Sequence, residues 1–455
     1  MTNNAPTIFA PATGLARAAV SVIRVSGPGA FDSVLALCGK VPPPRMATLT
    51  IIRNPANGQI IDHGLVIAFK SPASFTGEDV VEYHLHGGPV VVQSCLSTLS
   101  AQPGHRMAGP GEFTRRAFEN GKCDLTSAEA INDLIQAETE AQQIQALDQL
   151  GGGLSNLYES WREKLVEAAA YLEATIDFAD EDLPEADILA RVEPAIASCT
   201  QEITAHLSDK RRGERVRDGI KIAVIGAPNA GKSSLVNALA KRDICITSDI
   251  EGTTRDVIDV HLNLGGFPVT VSDTAGLRPG QLGQADQDKI ESEGIRRAIQ
   301  TAEQADLRLL VFDGTKLPEL HKDTLALATE DDLIIVNKSD LASEVPERIG
   351  GQAPIVIAAA RDEGLLALTE TLTSRLKRLI GSRVGPSPTR TRHRQALKKG
   401  LAALQEALEG ARNQKAPELV AEDLRTASRA IGSITGKIDV ENLLDVIFRD
   451  FCIGK

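Results

Sequence analysis

Eight residues in the middle of the chain, Gly226-Ala-Pro-Asn-Ala-Gly-Lys-Ser233, have the types and spacing of a phosphate-binding loop, G-x-x-x-x-G-K-[ST]. Gly226 and Gly231 let the backbone curl with its N–H groups aimed at phosphate oxygens. Lys232 sets an ammonium on the β- and γ-phosphates, and the Ser233 hydroxyl is a hard oxygen ligand suited to Mg²⁺. The apolar run before the loop reads as a strand. Leu235, Val236 and Leu239 after it read as an amphipathic helix whose positive end adds to the pull on phosphate. The expectation is a nucleoside triphosphate site lined by Asn229, Ala230, Gly231, Lys232, Ser233 and Ser234.

The remaining parts of such a site follow in order. Gly252-Thr-Thr-Arg-Asp256 supplies Thr253 and Thr254, hydroxyls able to ligate Mg²⁺ with triphosphate bound. Asp273-Thr274-Ala275-Gly276 follows a strand, so Asp273 reaches the Mg²⁺ shell and Gly276 brings its N–H to the γ-phosphate. Asn337-Lys338-Ser-Asp340 follows another strand. A carboxylate there accepts the N1–H and 2-amino protons of guanine, donors that adenine does not offer in that arrangement. A buried carboxylate left unpaired would discriminate by about 10⁴. The nucleotide is therefore expected to be GTP. The catalytic side is less usual: after Gly276 comes Leu277, an apolar residue unable to orient a water. Asn229 either holds a monovalent cation beside the phosphates or simply caps the loop. Glu291 and Glu293 lie on the helix that follows the Gly/Gln-rich segment 277–288.

These residues need a scaffold, and the chain has length for about three domains. At 455 residues, 42% hydrophobic and 24% charged, its composition is that of a globular protein. No apolar run approaches the roughly 20 residues of a membrane span, and the N-terminus lacks the basic and apolar regions of a signal peptide. A cytoplasmic protein without a membrane association is expected. The cysteines at 38, 95, 123, 199, 245 and 452 form no Cys-x-x-Cys pair, so neither structural zinc nor a disulfide framework is suggested. Net charge is −12, so contact with nucleic acid requires a local basic surface. Aromatic residues are 3% of the chain, which argues against a stacking platform for single-stranded RNA.

The fold class expected is multidomain, α/β plus all-α, with an inserted Ras-like P-loop domain. Residues 1–121 form an α+β unit with strands at Ala18–Val25, Gly64–Phe69 and Val80–Leu85 and a helix over Pro89–Leu99. Residues 122–218 are helical, with a capping box at Thr126-Ser-Ala-Glu129 and a further helix after Pro194. Residues 219–380 alternate strands and helices, the strands lying at 269–271, 307–312, 333–336 and 355–358. Residues 381–455 are helical again and end in an amphipathic helix, Val440–Phe451. Both seams of the insertion are basic: Lys210, Arg211, Arg212, Arg215 and Arg217 on entry, Arg390, Arg392, Arg394, Lys398 and Lys399 on exit. They read either as one shared basic patch or as solvated helix ends.

The motifs together resemble, over essentially the full chain, the MnmE (TrmE) family of tRNA-modification GTPases, within the TrmE-Era-EngA-YihA-Septin-like GTPases. Outside the nucleotide motifs the resemblance is carried by Thr76-Gly-Glu-Asp, His84-Leu-His-Gly-Gly88, Gly109-Pro-Gly-Glu-Phe-Thr-Arg-Arg-Ala-Phe118, Asn120-Gly-Lys-Cys-Asp-Leu125 and Phe451-Cys-Ile-Gly-Lys455. It implies a homodimer formed through an N-terminal domain that binds 5-formyl- or methylene-tetrahydrofolate, with Arg24, Glu82, Lys122 and Lys455 at the matching positions. It also implies that Asn229, Ser248, Ile250 and Thr253 surround a K⁺ ion; Ser248 departs from the usual Thr. By the same resemblance, Asp249, Glu251 and Gly252 are part of the nucleotide-facing segment, and Glu291 orients the hydrolytic water. Ala358-Ala-Ala-Arg361 stands where Ser-Ala-Lys is usual, which removes a hydroxyl from beside the guanine.

Cys452 is the candidate thiol of the modification chemistry, with a packed small hydrophobe as the alternative. The implied activity is that of a K⁺-activated GTPase. With an FAD- and NADH-dependent partner, MnmG, in a heterotetramer, it would place a 5-carboxymethylaminomethyl-type group on the wobble uridine (position 34) of certain tRNAs. The competing expectation is a ribosome-assembly or translation GTPase that switches an RNA-binding module. A third is a scaffold with nucleotide as a structural ligand.

Overall fold

The structure, a computed structural model, describes residues 5–14, 16–177, 185–242, 259–273, 303–381, 385–438, 441–449 and 451–454. The chain divides into two units. One comprises Met1–Asn132, Leu150–Cys199 and Lys398–Lys455, and the other Asp133–Gln149 and Thr200–Leu397.

The first unit opens with β1 (Thr7–Pro11), β2 (Ala18–Ser26), α1 (Ala30–Cys38), β3 (Thr48–Arg53), β4 (Ile60–Phe69), β5 (Val80–Gly87), α2 (Pro89–Ser100), β6 (His105–Met107) and α3 (Glu112–Glu119). Its six strands form one sheet in the order β3-β4-β5-β2-β1-β6. Alternation in β2 turns Ile23 and Val25 inward, onto Val34 and Leu37 of α1 and Val92, Cys95 and Leu99 of α2. The same alternation turns Arg24 to the opposite face, where Leu49 and Leu65 pair across β3 and β4 while both stay exposed. Strands β1, β3 and β6 were not expected from the sequence; β1 and β6 are short, and apolar runs of that length carry weak periodicity.

The helical part of this unit contains α4 (Leu125–Gln136), which continues past the unit boundary, α6 (Gly153–Asp177), α13 (Pro417–Thr435) and α14 (Glu441–Arg449); α5 (Glu140–Leu150) precedes α6. The expected capping box is displaced. Asp124, not Thr126, caps α4: its Oδ1 accepts from the Thr126 hydroxyl at 2.8 Å and from Ser127 N at 2.7 Å. A carboxylate also complements the helix dipole, which a hydroxyl does not. Along α6, Tyr158, Trp161, Leu165 and Leu172 are buried, as are Leu424, Ala427, Ile431 and Ile434 along α13, and the two helices pack together. Leu444, Phe448 and Phe451 at the C-terminal end bury against Leu125 and Ala128. Gly111 sits beneath them at φ 64°, and a Cβ there would lie 2.9 Å from the Phe448 carbonyl oxygen.

Helix α7 (Glu185–Leu207) does not begin after Pro194 but runs through it. The second unit takes its last turns, then α8 (Arg212–Asp218), β7 (Ile220–Gly226), α9 (Lys232–Arg242), β8 (Asp259–Leu264), β9 (Phe267–Asp273), β10 (Leu307–Asp313), α10 (Lys322–Ala326), β11 (Leu333–Asn337), β12 (Ile355–Val356) and α11 (Leu365–Ile380). Thr391–Arg412 forms α12, whose first turns belong here. The strand order is β12-β11-β10-β7-β9-β8, parallel except for the β8–β9 hairpin. Both faces are covered. Ile222, Val224, Leu309 and Ile335 pack on one side, and Ala223, Ile225, Leu310 and Ile334 on the other. Continuous apolar runs of this kind are what a parallel sheet buried on both faces requires.

Five arginines of the basic seams, Arg211, Arg215, Arg217, Arg390 and Arg394, form ion pairs within this second unit, while Lys210, Lys398 and Lys399 are exposed. Glu214, 3% exposed, holds Arg211 at 2.6 Å and Arg394 at 2.8 Å, and Asp209 pairs with Arg394 as well. Asp133 takes Arg217 at 3.1 Å and Arg390 at 2.7 Å, and Asp306 takes Arg215 at 2.7 Å. Entry and exit segments thus meet on the shared carboxylates Glu214 and Asp133. Among the described residues no helix is long and apolar enough to cross a membrane.

Candidate nucleotide-binding site

Strand β7 lies between β9 and β10, so the chain reverses its direction of sheet growth at the carboxyl end of β7. A crevice opens at such a point in a parallel sheet, and Gly226–Ser233 occupies it. Gly226 has no room for a side chain: a Cβ would stand 2.3 Å from the carbonyl oxygen of Val311 on β10. Gly231 takes φ 88°, and a Cβ there would meet the Asn337 amide nitrogen at 2.1 Å. Asn229 also adopts a left-handed backbone, at φ 62°. Lys232, 6% exposed, donates from Nζ to the carbonyls of Gly226 at 2.8 Å and Ala227 at 2.9 Å. Its ammonium is thereby held over the loop it must serve, and Ser233 follows in the first turn of α9.

The Asn337–Asp340 segment is tied to the loop directly. Asn337 Nδ2 donates to the Ala230 carbonyl at 3.0 Å, while its Oδ1 accepts from Ala359 N at 3.1 Å. One 2%-exposed side chain therefore spaces the phosphate loop from the Ala358–Arg361 turn. Lys338 sits at φ 60° and donates from Nζ to the Asn229 carbonyl at 2.6 Å and to Asp313 Oδ2 at 2.7 Å. Burial pushes the Asp313 carboxyl up, but hydrogen bonds from Lys338 and Thr315 and the Lys338 charge outweigh it and hold the group below its ordinary value. Sequence reasoning missed Asp313. Its signal was available, an acid followed by glycine at the end of an apolar strand, but its partner lies 25 residues on. Asp340 lies in an exposed turn with its side chain largely covered and forms an ion pair with the more exposed Arg361, Nε to Oδ2 at 3.1 Å.

Asp273 closes β9 opposite Val224 of β7, which places its backbone at the mouth of the same crevice. Ser248, Asp249, Ile250, Glu251, Gly252, Thr253, Thr254, Thr274, Ala275, Gly276, Leu277, Glu291 and Glu293 lie outside the described residues.

A second group of expected site residues gathers in the first unit. Arg24 and Glu82 are register partners on β2 and β5, with Arg24 Nη2 2.9 Å and Nε 3.1 Å from Glu82 Oε1. The Arg24 guanidinium stands 5.2 Å from the centroid of the Phe75 ring and 5.8 Å from that of Phe113. Lys122 Nζ donates to the Pro72 carbonyl at 2.9 Å, in the loop that carries Phe75. His84 reaches Glu82 at 3.4 Å and His86 reaches Asp62 at 2.8 Å, so both histidines serve these carboxylates. Cys452 is exposed, not a packed small hydrophobe, and its backbone carbonyl accepts from Gly111 N. Gly454 follows at φ 100°, where a Cβ would lie 2.0 Å from the Pro11 carbonyl oxygen. The C-terminal segment is thus laid on the end of β1, the strand beside β2. Burial pushes the half-buried Cys38 and Cys123 thiols up to about 11 and the buried Cys95 thiol up to about 12. Lys455 lies outside the described residues.

A parallel sheet in this strand order, a phosphate loop at its switch point and an Asn-Lys-Ser-Asp segment tied to that loop define a P-loop GTPase with a Ras-like nucleotide domain. The remainder of the chain narrows the class. A family described as GTP-binding protein TrmE N-terminus matches residues 7–122, and one described as MnmE helical domain matches residues 125–452. The tRNA modification GTPase MnmE of Parvibaculum lavamentivorans is 50% identical over 452 residues, covering 99% of this chain and 100% of that protein. The MnmE of Paramagnetospirillum magneticum is 50% identical over 455 residues, covering 99% of both. A mitochondrial relative in Danio rerio, 5-taurinomethyluridine-[tRNA] synthase subunit GTPB3, is 43% identical and covers 99% of this chain and 93% of its own. The chain belongs to the MnmE (TrmE) family.

Proposed function

We propose that this chain hydrolyses GTP to drive modification of the wobble uridine (position 34) of certain tRNAs, as a homodimer working with an FAD-dependent partner, MnmG, and a tetrahydrofolate one-carbon donor. The observation that carries the reading is the coupling of the phosphate loop to the guanine segment through Asn337 and Lys338. Family membership over the whole chain gives that GTPase its setting, because relatives named for tRNA modification match it from end to end. Activity in the cytoplasm is part of the same proposal.

In this reading Lys232 neutralises the β- and γ-phosphates and the loop N–H groups from Asn229 to Ser233 bind their oxygens. Asp340 reads the guanine edge. The residues present fit a Mg²⁺ ion: Ser233 is a hydroxyl at the first turn of α9 with Lys232 fixed beside it. Together with Asp273, Thr253 and Thr254 it would hold the ion, which neutralises charge on the phosphates. The left-handed backbone at Asn229 fits a loop that offers its side chain to a monovalent cation. With Ser248, Ile250 and Thr253, Asn229 would hold K⁺, which supplies positive charge at the site. Glu291 orients the attacking water, the task Leu277 cannot perform. In the first unit, Arg24, Glu82, Lys122 and Lys455 would bind folate, the cations suiting its glutamate tail and the carboxylate its pterin edge. Cys452, exposed at the C-terminal segment, is the thiol of the modification chemistry. The open sheet face bearing Leu49 and Leu65 is the surface on which two copies would pair.

The test is the GTP hydrolysis rate with K⁺ replaced stepwise by Na⁺ at constant ionic strength, with and without the flavoprotein partner. The rate should collapse in Na⁺, and Asn229→Ala should abolish the difference. Equal rates in the two salts overturn the potassium assignment. Saturable binding of 5-formyl-tetrahydrofolate separates this function from that of a ribosome-assembly GTPase, for which none is expected.

A further inference from the structure

The turn that follows β12 reads Ala358-Ala-Ala-Arg361 and ends beside Asp340. Ala358, Ala359 and Ala360 carry no side-chain hydrogen-bonding group, so no hydroxyl from these three residues can steady the carboxylate of Asp340. Asp340 lies in a short 3-10 turn, Ser339–Leu341, whose backbone is exposed while the carboxylate is largely covered. The side chain itself is 13% exposed, and of the rotamers its two torsions allow, one presents both oxygens to the guanine edge. The cation that meets it is Arg361, with Nε 3.1 Å from Oδ2. Arg361 is set by the turn itself: its N–H donates to the Ala358 carbonyl, and Asp362 after it turns the chain at φ 58°. The other end of the turn is pinned by Ala359 N on Asn337 Oδ1. Asn337 is bound in turn to the Ala230 carbonyl of the phosphate loop.

We propose that Arg361 is a positioning residue for guanine recognition, holding the Asp340 carboxylate in the rotamer that accepts the N1–H and 2-amino protons. An ionised carboxylate has about four acceptor sites, so the guanidinium on Oδ2 leaves sites for both guanine donors. The inference rests on Asp340 being the guanine reader. The arrangement substitutes a charge for the missing hydroxyl and couples base recognition to the same turn that Asn337 ties to the phosphates.

The experiment measures dissociation constants of full-length wild type, Arg361→Ala, Arg361→Lys and Asp340→Asn for GDP, IDP and XDP. IDP lacks the 2-amino group, so the GDP/IDP ratio reads the second hydrogen bond. Arg361→Ala should weaken GDP about fivefold, the scale of an exposed ion pair, with a smaller loss for IDP, and Arg361→Lys should recover part of it. Unchanged GDP binding, equal losses for GDP and IDP, or tighter GDP binding each overturn the proposal; the last would mean that Arg361 masks the carboxylate. Asp340→Asn should shift preference from GDP to XDP. If it does so while Arg361→Ala behaves as wild type, the positioning role fails and the guanine reading stands. If Asp340→Asn leaves the preference unchanged, the guanine reading itself fails.

Discussion

The phosphate loop and the Arg24 cluster are built in opposite ways. The loop is one short run of chain whose working groups are largely backbone N–H, so its residues are those that permit a conformation: Gly226 under Val311, Gly231 at φ 88°, Asn229 at φ 62°. The Arg24 cluster is made of side chains from separate segments. Arg24 and Glu82 are 58 residues apart and meet only because β2 and β5 pair in register. The C-terminal segment reaches Gly111 from the far end of the chain. A backbone site leaves a contiguous signature, whereas a side-chain site leaves residues whose meaning depends on the sheet that gathers them.

The largest effect that would sharpen this contrast is expected from Lys232→Ala. Removing the ammonium from the phosphates should lower GTP hydrolysis by about 10³-fold, while calorimetric titration with 5-formyl-tetrahydrofolate is unchanged. Loss of both activities together would break the separation of the two sites.

The next concerns the second unit alone. Burial, only partly offset by Asp209, lowers His206 to about 4, so the folded state keeps it neutral. Stability from this group is fully present above the unfolded value near 6.5 and is lost as pH falls towards 4, where the unfolded chain binds the extra proton. Between pH 7 and pH 5 the second unit should lose about 2 kcal/mol, and His206→Gln should flatten that dependence. Urea titration checks it, with release of a fluorescent GDP reporting the second unit. Emission of Trp161, the single tryptophan, reports the first. An equal acid shift in both signals would refute the assignment to His206.

Smaller again is Arg24→Ala. Losing a charged partner should weaken folate binding by about tenfold, leaving the GTP hydrolysis rate within error; unchanged folate binding would remove Arg24 from that site. The smallest stability effect is expected from Cys452→Ser. An exposed thiol contributes within about 0.5 kcal/mol of thermal stability, yet tRNA modification measured by mass spectrometry of digested nucleosides should be lost. Retained modification makes Cys452 a bystander.

Much of the fold was legible because strong periodicity marked it: the buried strands β7, β10 and β11 and the helices around Trp161 stand where apolar spacing put them. Short or locally ambiguous elements were not. β6 has three residues and pairs only through β1. The α4 cap went to Asp124 because a carboxylate satisfies both Thr126 and Ser127. Pro194 sits within α7 because tertiary packing of the surrounding turns overrides a local helix breaker; Leu189, Val192 and Ile196 beside it are all buried. The seam arginines illustrate the same limit. Their charge was plain in the sequence, but Asp133 and Asp306, which pair with Arg217, Arg390 and Arg215, are remote along the chain, and Glu214 of the entry run also takes the distant Arg394.

The amino-acid sequence by itself pointed to the nucleotide chemistry, since the loop's groups lie in one contiguous run whose glycines permit the backbone to turn its N–H groups inward. It also determined the family, through motifs spread from Thr76 to Cys452. Only the tertiary structure decided that Lys338 staples the loop to Asp313, that Arg361 stands against Asp340 and that Arg217 and Arg390 share Asp133. The reason is physical. Local conformational freedom is set by residue type, but an ion pair depends on distance in space, and distances between remote segments are fixed only when the sheets and helices pack.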